Sequence, residues 1–381
     1  MFGKLIKRAF STIKSSEKPN WYYFEEVEKG TEEQIQAEKQ SLESLSQQTD
    51  DQSVTELLAD NGMIDSPKQQ FQKCFYRALF GQIDEHEQAD ELSRYIAKRV
   101  QTLLNHPKAL LQSLPVLPAS LNRVIAHLND EDFDTNILIE LVKNEPAIAA
   151  KVIQLANSSL YNRSGRPVTD LKNAFMLLGA NGLSLGVLRG YISQLIPQSD
   201  LYFKYYGQKI WQHSLMTSQI AQQIMAKSEH KKDAGQGYLV GLLSNLGNVI
   251  IYQLMSEAFT HVHPDCKPGS KLFINLLAKN ASRLSYLIAK YWNFPAEITD
   301  VLAMQVKLEQ QQRLDDVFKR LPLAGFLYEA TILSQLSTSI EYRKVNLVEE
   351  HKKLDKLILS VPAKAYLNTM LDQEKAKQKL V

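Results

Sequence analysis

Apolar residues recur along this chain at steps of three and four, the spacing that lines one face of an α-helix. Phe71, Cys74, Phe75, Ala78 and Leu79 follow it, as do Leu92, Ile96, Val100 and Leu103. Each set predicts an amphipathic helix with one buried stripe. Leu121, Val124, Ile125 and Leu128 continue the pattern. After the polar break Asn129-Asp130-Glu131-Asp132 it resumes with Ile137, Leu138, Leu141 and Val142. Alternation with period two never persists, and glycine-centred hairpin signals are missing where hairpins would need them. The pattern predicts an all-α protein built as a multi-helix bundle.

Breaker residues set the expected boundaries. Pro115 and Pro118 disfavour a continuous helix and mark the entry to a new unit. Pro146 can open a helix, because a first turn loses nothing by its missing N–H. Ile148, Val152, Leu155 and Ala156 give that helix its apolar face. Asn157-Ser158-Ser159 compete for backbone hydrogen bonds and predict its end. A loop over 160–167 follows, with Thr169 or Asp170 as the next N-cap. Leu171, Ala174, Phe175 and Leu178 make the next stripe, and Gly179 suits a left-handed cap. Helical text then runs past His213 and through Leu242 and Ile250 to a loop over 261–269. Further helices are expected from Leu272 to Trp292 and from Pro295 to Leu308. Residues 323–339 are apolar enough to be buried, and 341–359 read as a charged amphipathic helix. Residues 373–381 are expected to fray.

A chain of 381 residues exceeds the size at which one core usually stops growing, so more than one unit is expected. The expected division is a helical N-terminal region over 1–105 with a polar connector near 26–60, a central domain over 106–325, and a helical extension over 326–381. Lys and Arg number 44 against 42 Asp and Glu, a net charge of +2. That balance gives no support for a nucleic-acid partner. Two cysteines, Cys74 and Cys266, are too few for a disulfide framework and read as reduced thiols of a cytoplasmic protein. No stretch approaches about 18 uncharged apolar residues, so no membrane span is expected. Phe2, Leu5, Ile6, Ala9, Phe10 and Ile13 alternate with Lys4, Lys7, Arg8 and Lys14. Residues 2–14 therefore read as a helix packed on its own domain, docking on a partner, or resting peripherally on an anionic membrane surface.

Several short motifs in order give the central domain an identity by resemblance. Leu114-Pro115-x-Leu117-Pro118 is followed by Asn144-Glu145-Pro146, then by Leu155-Ala156-Asn157-Ser158-Ser159-Leu160-Tyr161 and by Ala174 to Gly179. Trp211-x-His213-Ser214, Gly241-Leu242-Leu243-x-x-Leu246-Gly247 and Trp292-x-Phe294-Pro295 come later. Over roughly 110–310 the chain resembles the HDOD domain, an output domain related to the HD phosphohydrolases. Glu145 stands where that family usually has an aspartate. The resemblance implies an all-helical domain of the HD superfamily, found mostly in bacterial signalling proteins and usually regarded as non-enzymatic. It also implies that Ser244 and Asn245 occupy the places of the His-Asp pair of active HD enzymes, with His213 at the first histidine.

A hydrolytic metal site needs several converging His and Asp ligands and an open position for water. Ser244 is a poor ligand, Asn245 offers a neutral oxygen, and no histidine lies between His263 and His351. His213 therefore reads as a structural histidine of a vestigial pocket formed with Ser244 and Asn245. The sharper alternative is a residual ligand or general base. His261-x-His263 beside Asp265 and Cys266 is weak evidence for a zinc site without the required geometry, so no metal and no cofactor are assigned. Tyr202, Phe203, Tyr205 and Tyr206 are either an exposed interaction surface or packing at the junction of the two halves of the domain. Arg163, Arg166 and Arg189 are candidate anion contacts near the Asn157 turn, or solvated surface.

These readings point first to a non-catalytic regulatory protein of a signalling pathway that presents its HDOD domain to a protein partner. The alternatives are a nucleotide or cyclic-dinucleotide sensor using the vestigial pocket, or an atypical metal-dependent phosphohydrolase. The last predicts a divalent ion beside His213.

Overall fold

The computed structural model describes residues 67–80, 91–105, 107–114, 125, 142, 146–158, 161–162, 165–196, 205–259, 271–309, 313–342, 354 and 357–378. The patterns at 2–14 and 26–60, the loop over 261–269, and Arg163, Tyr202 and Phe203 lie outside them. The described secondary structure is helical throughout. The two N-terminal stripes form α1 (Pro67–Phe80) and α2 (Glu91–Asn105), followed by the short α3 (Pro107–Gln112). Phe71, Phe75, Ala78 and Leu79 of α1 are buried, as are Leu92, Ile96, Val100 and Leu103 of α2.

α4 (Pro146–Ala156) starts at its proline and ends where the polar triplet begins. Asn157 closes it: Nδ2 donates to the carbonyls of Ile153 and Val168, and Oδ1 accepts from the Val168 N–H. The side chain thus ties the helix end to the loop that follows. Asp170 caps α5 (Leu171–Gln194) by accepting from the Asn173 N–H. Gly179 takes the left-handed φ of 65° that its sequence position anticipates. It turns the helix instead of ending it, because the next residues, from 180 on, are helical again. Gly182 to Gly190 are buried without interruption, against the face of α4 that carries Ile148 and Val152.

The second half is built on α6 (Tyr206–Ala226), which packs on α7 (Ala234–Leu243) and on α12 (Pro322–Tyr342). A 3-10 turn, Lys231–Asp233, precedes α7. α8 (Leu246–Phe259) lies on α9 (Lys271–Tyr291), and α9 lies on α10 (Ala296–Glu309). Asn293, with φ 55°, closes α9: the Phe294 N–H bonds back to the Ala289 carbonyl, a Schellman-type ending that sends Pro295 into α10. α11 (Leu314–Arg320) precedes α12, and α13 (Val361–Gln378) ends the described chain. The buried carboxylate of Glu329 on α12 accepts from the N–H groups of Leu359 and Ser360 at 2.6 and 2.8 Å and from the Ser360 hydroxyl. It latches the start of α13 to α12. Burial pushes this carboxyl upward from its ordinary range, against the pull of those three donors.

One hydrophobic core runs from Phe71 to Leu371. α12 crosses position 325/326 and packs on both α6 and α1. Buried residues on both sides of positions 105/106 and 325/326 belong to this one cluster. Leu171–Gln194 and Lys231–Ala258 are long and apolar enough by composition to cross a membrane, contrary to the expectation of no such stretch. In the fold both are mostly buried among other helices. The second is broken at Ser244–Asn245.

The motif glycines Gly241 and Gly247 serve close approach. A Cβ on Gly241 would lie 2.6 Å from Cα of Ser218 on α6. A Cβ on Gly247 would lie 1.9 Å from the carbonyl oxygen of Ala281 on α9. A methyl at Gly247 therefore requires backbone movement. Gly247→Ala should destabilise the protein by about 3 kcal/mol. Gly235→Ala, with open space around its Cβ, should change stability by less than about 1 kcal/mol and in the opposite direction. Urea unfolding of the two variants checks the contrast.

Candidate functional site at the turn between α7 and α8

Ser244 and Asn245 form the turn between α7 and α8, on the backbone contact made by Gly247. Ser285 of α9 locks it from below. Its hydroxyl accepts from the Gly247 N–H at 2.8 Å and donates to the Ser244 carbonyl at 2.7 Å. The Ser244 hydroxyl donates back to the Gly241 carbonyl at 2.8 Å. The Asn245 amide donates to the Ser244 hydroxyl, and its Oδ1 accepts from Nδ2 of Asn248 at 3.2 Å. Oδ1 of Asn248 accepts from the hydroxyl of Tyr76 at 2.9 Å. A chain of neutral hydrogen bonds thus runs from the turn to α1. Burial holds the Tyr76 phenol well above its ordinary pKa, so it stays protonated and donating.

These groups wall a cavity of ≈ 60 Å³ together with Gln72 of α1, Ser282 of α9, Gln305 and Glu309 of α10, and Gln335 of α12. Such a volume holds a few water molecules. It falls well short of the roughly 300 Å³ at which ligand pockets begin. Glu309, bonded to the Ser282 hydroxyl at 2.6 Å, is the only acidic residue among the described lining residues. None of them is Lys, Arg or His.

His213 does not line this cavity. It is buried on α6, with Nδ1 2.7 Å from the hydroxyl of Ser334 on α12 and its ring 4.4 Å from that of Phe75. The Ser334 hydroxyl also donates to the His213 carbonyl at 3.2 Å. The Ser334 hydroxyl thus ties both the ring and the backbone of His213 to α12. Burial pushes the His213 pKa down to about 3. The imidazole is therefore neutral and held by structure.

Among the described residues no group of three or more His, Cys, Asp or Glu could hold a metal ion. With one acid at the cavity and His213 turned to Ser334 and Phe75, the donor set here does not fit a catalytic divalent ion. The structure brings Ser244 and Asn245 together and leaves His213 behind α1. Phe75 touches the histidine, while its neighbour Tyr76 reaches the cavity. Gln72, Tyr76, Ser285 and Glu309 carry no local motif and were missed. Asn248 had a signal: it sits three residues after Asn245, the only polar residue between Leu246 and Tyr252 apart from a glycine.

The other candidates scatter. Tyr206 is no surface residue: it is fully buried, its ring 4.8 Å from Phe80 and 4.4 Å from Tyr252. Tyr205 is 62% exposed. Arg166 is exposed, whereas Arg189 is buried rather than solvated.

The model of the HDOD domain matches residues 114–308, about half of the chain. The chain belongs to the HDOD domain family. An uncharacterized protein of Treponema pallidum (strain Nichols) is 19% identical over 196 residues, 50% of this chain and 37% of that protein. The chain thus spans little more than a third of the length of that relative. An HDOD domain protein of unknown function from Geobacter sulfurreducens aligns with 72% of this chain and 94% of its own, at 18% identity and a TM-score of 0.49. A Shewanella amazonensis SB2B protein named as a candidate metal-dependent phosphohydrolase aligns with 69% of this chain and 92% of its own, at 23% identity and a TM-score of 0.46. With no metal-ligand cluster among the described residues, the HDOD domain here is a degenerate HD-type domain.

The depressed pKa of His213 has a pH signature. In the unfolded chain the imidazole takes a proton near its ordinary 6.5, while the folded site refuses it until about 3. Stability from this group is therefore complete above the ordinary value and is lost as pH falls below it. Between pH 7 and pH 5 the loss should be about 2 kcal/mol. His213→Asn should lack this component and keep the rest of the acid dependence, as urea unfolding at the two pH values would show. Equal losses in both proteins would refute the assignment.

Proposed function

We propose that this protein is a non-catalytic cytoplasmic regulator of a bacterial signalling pathway, acting on a protein partner through its HDOD domain. The observation that carries the reading is the neutral chain from Ser244 and Asn245 through Asn248 to Tyr76. Where an active HD enzyme needs charged ligands around an ion, this domain has amides and hydroxyls that satisfy one another. α1, which lies outside the family segment, supplies the last of them. HDOD domains are output modules, and a protein partner is the readout that needs no chemistry from the site.

The sensor reading finds less support. A nucleotide or cyclic dinucleotide would bring phosphate charge to a cavity of ≈ 60 Å³ whose described walls offer no cation. The hydrolase reading lacks a ligand set, for the reasons of geometry given above.

The test is an assay of the full chain with manganese against nucleotides and cyclic dinucleotides. No turnover above the buffer rate is expected, and Glu309→Gln should change nothing in that assay. Turnover abolished by His213→Ala or by Glu309→Gln would overturn the proposal.

A further inference from the structure

Away from the Ser244–Asn245 cavity, a buried cation sits among the described residues without a carboxylate beside it. Arg189, in the second half of α5, is 6% exposed. No carboxylate pairs with it among the described residues. Its Nη2 donates to Oε1 of Gln154 on α4 at 3.4 Å, a long contact to a neutral acceptor. Its Nε has no protein partner. The hydroxyl of Tyr238 on α7, also buried, lies against the guanidinium as its side-chain hydrogen-bond partner. A buried charged donor, the Arg189 Nε–H, is still left unsatisfied where α4, α5 and α7 meet.

A guanidinium cannot shed its proton to escape burial. Leaving it buried and unpaired is strongly unfavourable, whereas a paired one is tolerated. The residue that covers it, Gln154, is exposed on the surface of α4 and bound to it only by the long contact. An incoming anion has only to replace that amide. It would gain a charged donor with fixed geometry and a phenol beside it.

We propose that Arg189, with Tyr238 and beneath Gln154, is a binding site for a small oxyanion, a phosphoryl or carboxylate group. It is separate from the vestigial cavity, and none of its residues lines that cavity. Phosphate chemistry for which the old site has no cation thus has a place between the helices of the other half of the domain.

The test is thermal unfolding of the full chain in chloride, inorganic phosphate and acetate at matched ionic strength and pH. Phosphate also stabilises proteins generally by exclusion from their surface, so the difference between wild type and Arg189→Met is the readout. A saturable rise in Tm of about 3 °C with phosphate or acetate is expected in the wild type and absent in the variant. A response to phosphate alone assigns a phosphoryl ligand, and a response to acetate assigns a carboxylate. In chloride, Arg189→Met should melt no lower than wild type, because it removes an unpaired buried charge. Gln154→Ala, on the surface, should lower the half-saturating anion concentration severalfold by removing the competing amide. Equal anion responses in wild type and Arg189→Met, or in wild type and Gln154→Ala, would overturn the proposal.

Discussion

Between Gly247 and the carbonyl of Ala281 there is no room for a methyl group, and the degenerate site depends on that closeness. It brings the first turn of α8 down onto the backbone of α9, which places the Ser285 hydroxyl under the α7–α8 turn. From there Ser285 takes the Gly247 N–H and serves the Ser244 carbonyl, so the turn has one conformation. Asn245 and Asn248 then point along a single line of hydrogen bonds that ends on Tyr76. A looser crossing would release the turn, and with it the register between the old catalytic position and α1.

The neutral turn at Ser244 and Asn245 and the packing of α1 beside it fit together physically. An ionised aspartate at position 245 would need a cation or solvent to balance it. Asparagine needs only donors and acceptors, and a buried neutral network that is fully connected is stable. Once the position is neutral, a helix with an apolar stripe can close over it and contribute one phenol. His213 follows the same logic. It stays neutral in a site without acids, and its ring serves as a packing surface for Phe75.

Local chemistry made much of the fold legible. The stripes of α1, α2, α4 and α5, the proline start of α4 and the Asn157 stop were all readable, because each depends on neighbours within one or two turns. Gly179 shows the limit. Its left-handed φ was legible, but whether the chain then enters a loop or another helix depends on the buried face that α4 offers to residues 182–190. The site was legible as a loss, through Ser244 and Asn245 standing where ligands are expected. Its gain was not, because Tyr76 meets Asn248 across 172 residues and no local pattern encodes that meeting. Tyr206 and Arg189 show the same limit: the sequence left each with two readings, and only packing shows both buried.

The matched family segment ends at residue 308, yet the walls of the cavity do not. Gln72 and Tyr76 come from before it, and Gln335 comes from after it. His213 is held from both sides too, by Phe75 of α1 and Ser334 of α12. α12 is fixed in turn by the Glu329 latch on α13. A fragment cut to the family segment would lose these partners together, leaving His213 with neither ring contact nor hydroxyl and Asn248 without its donor. The state of the degenerate site is therefore a property of the longer chain. Displacement of α1 would break the Tyr76–Asn248 bond that ties the α7–α8 turn to the flanking helix.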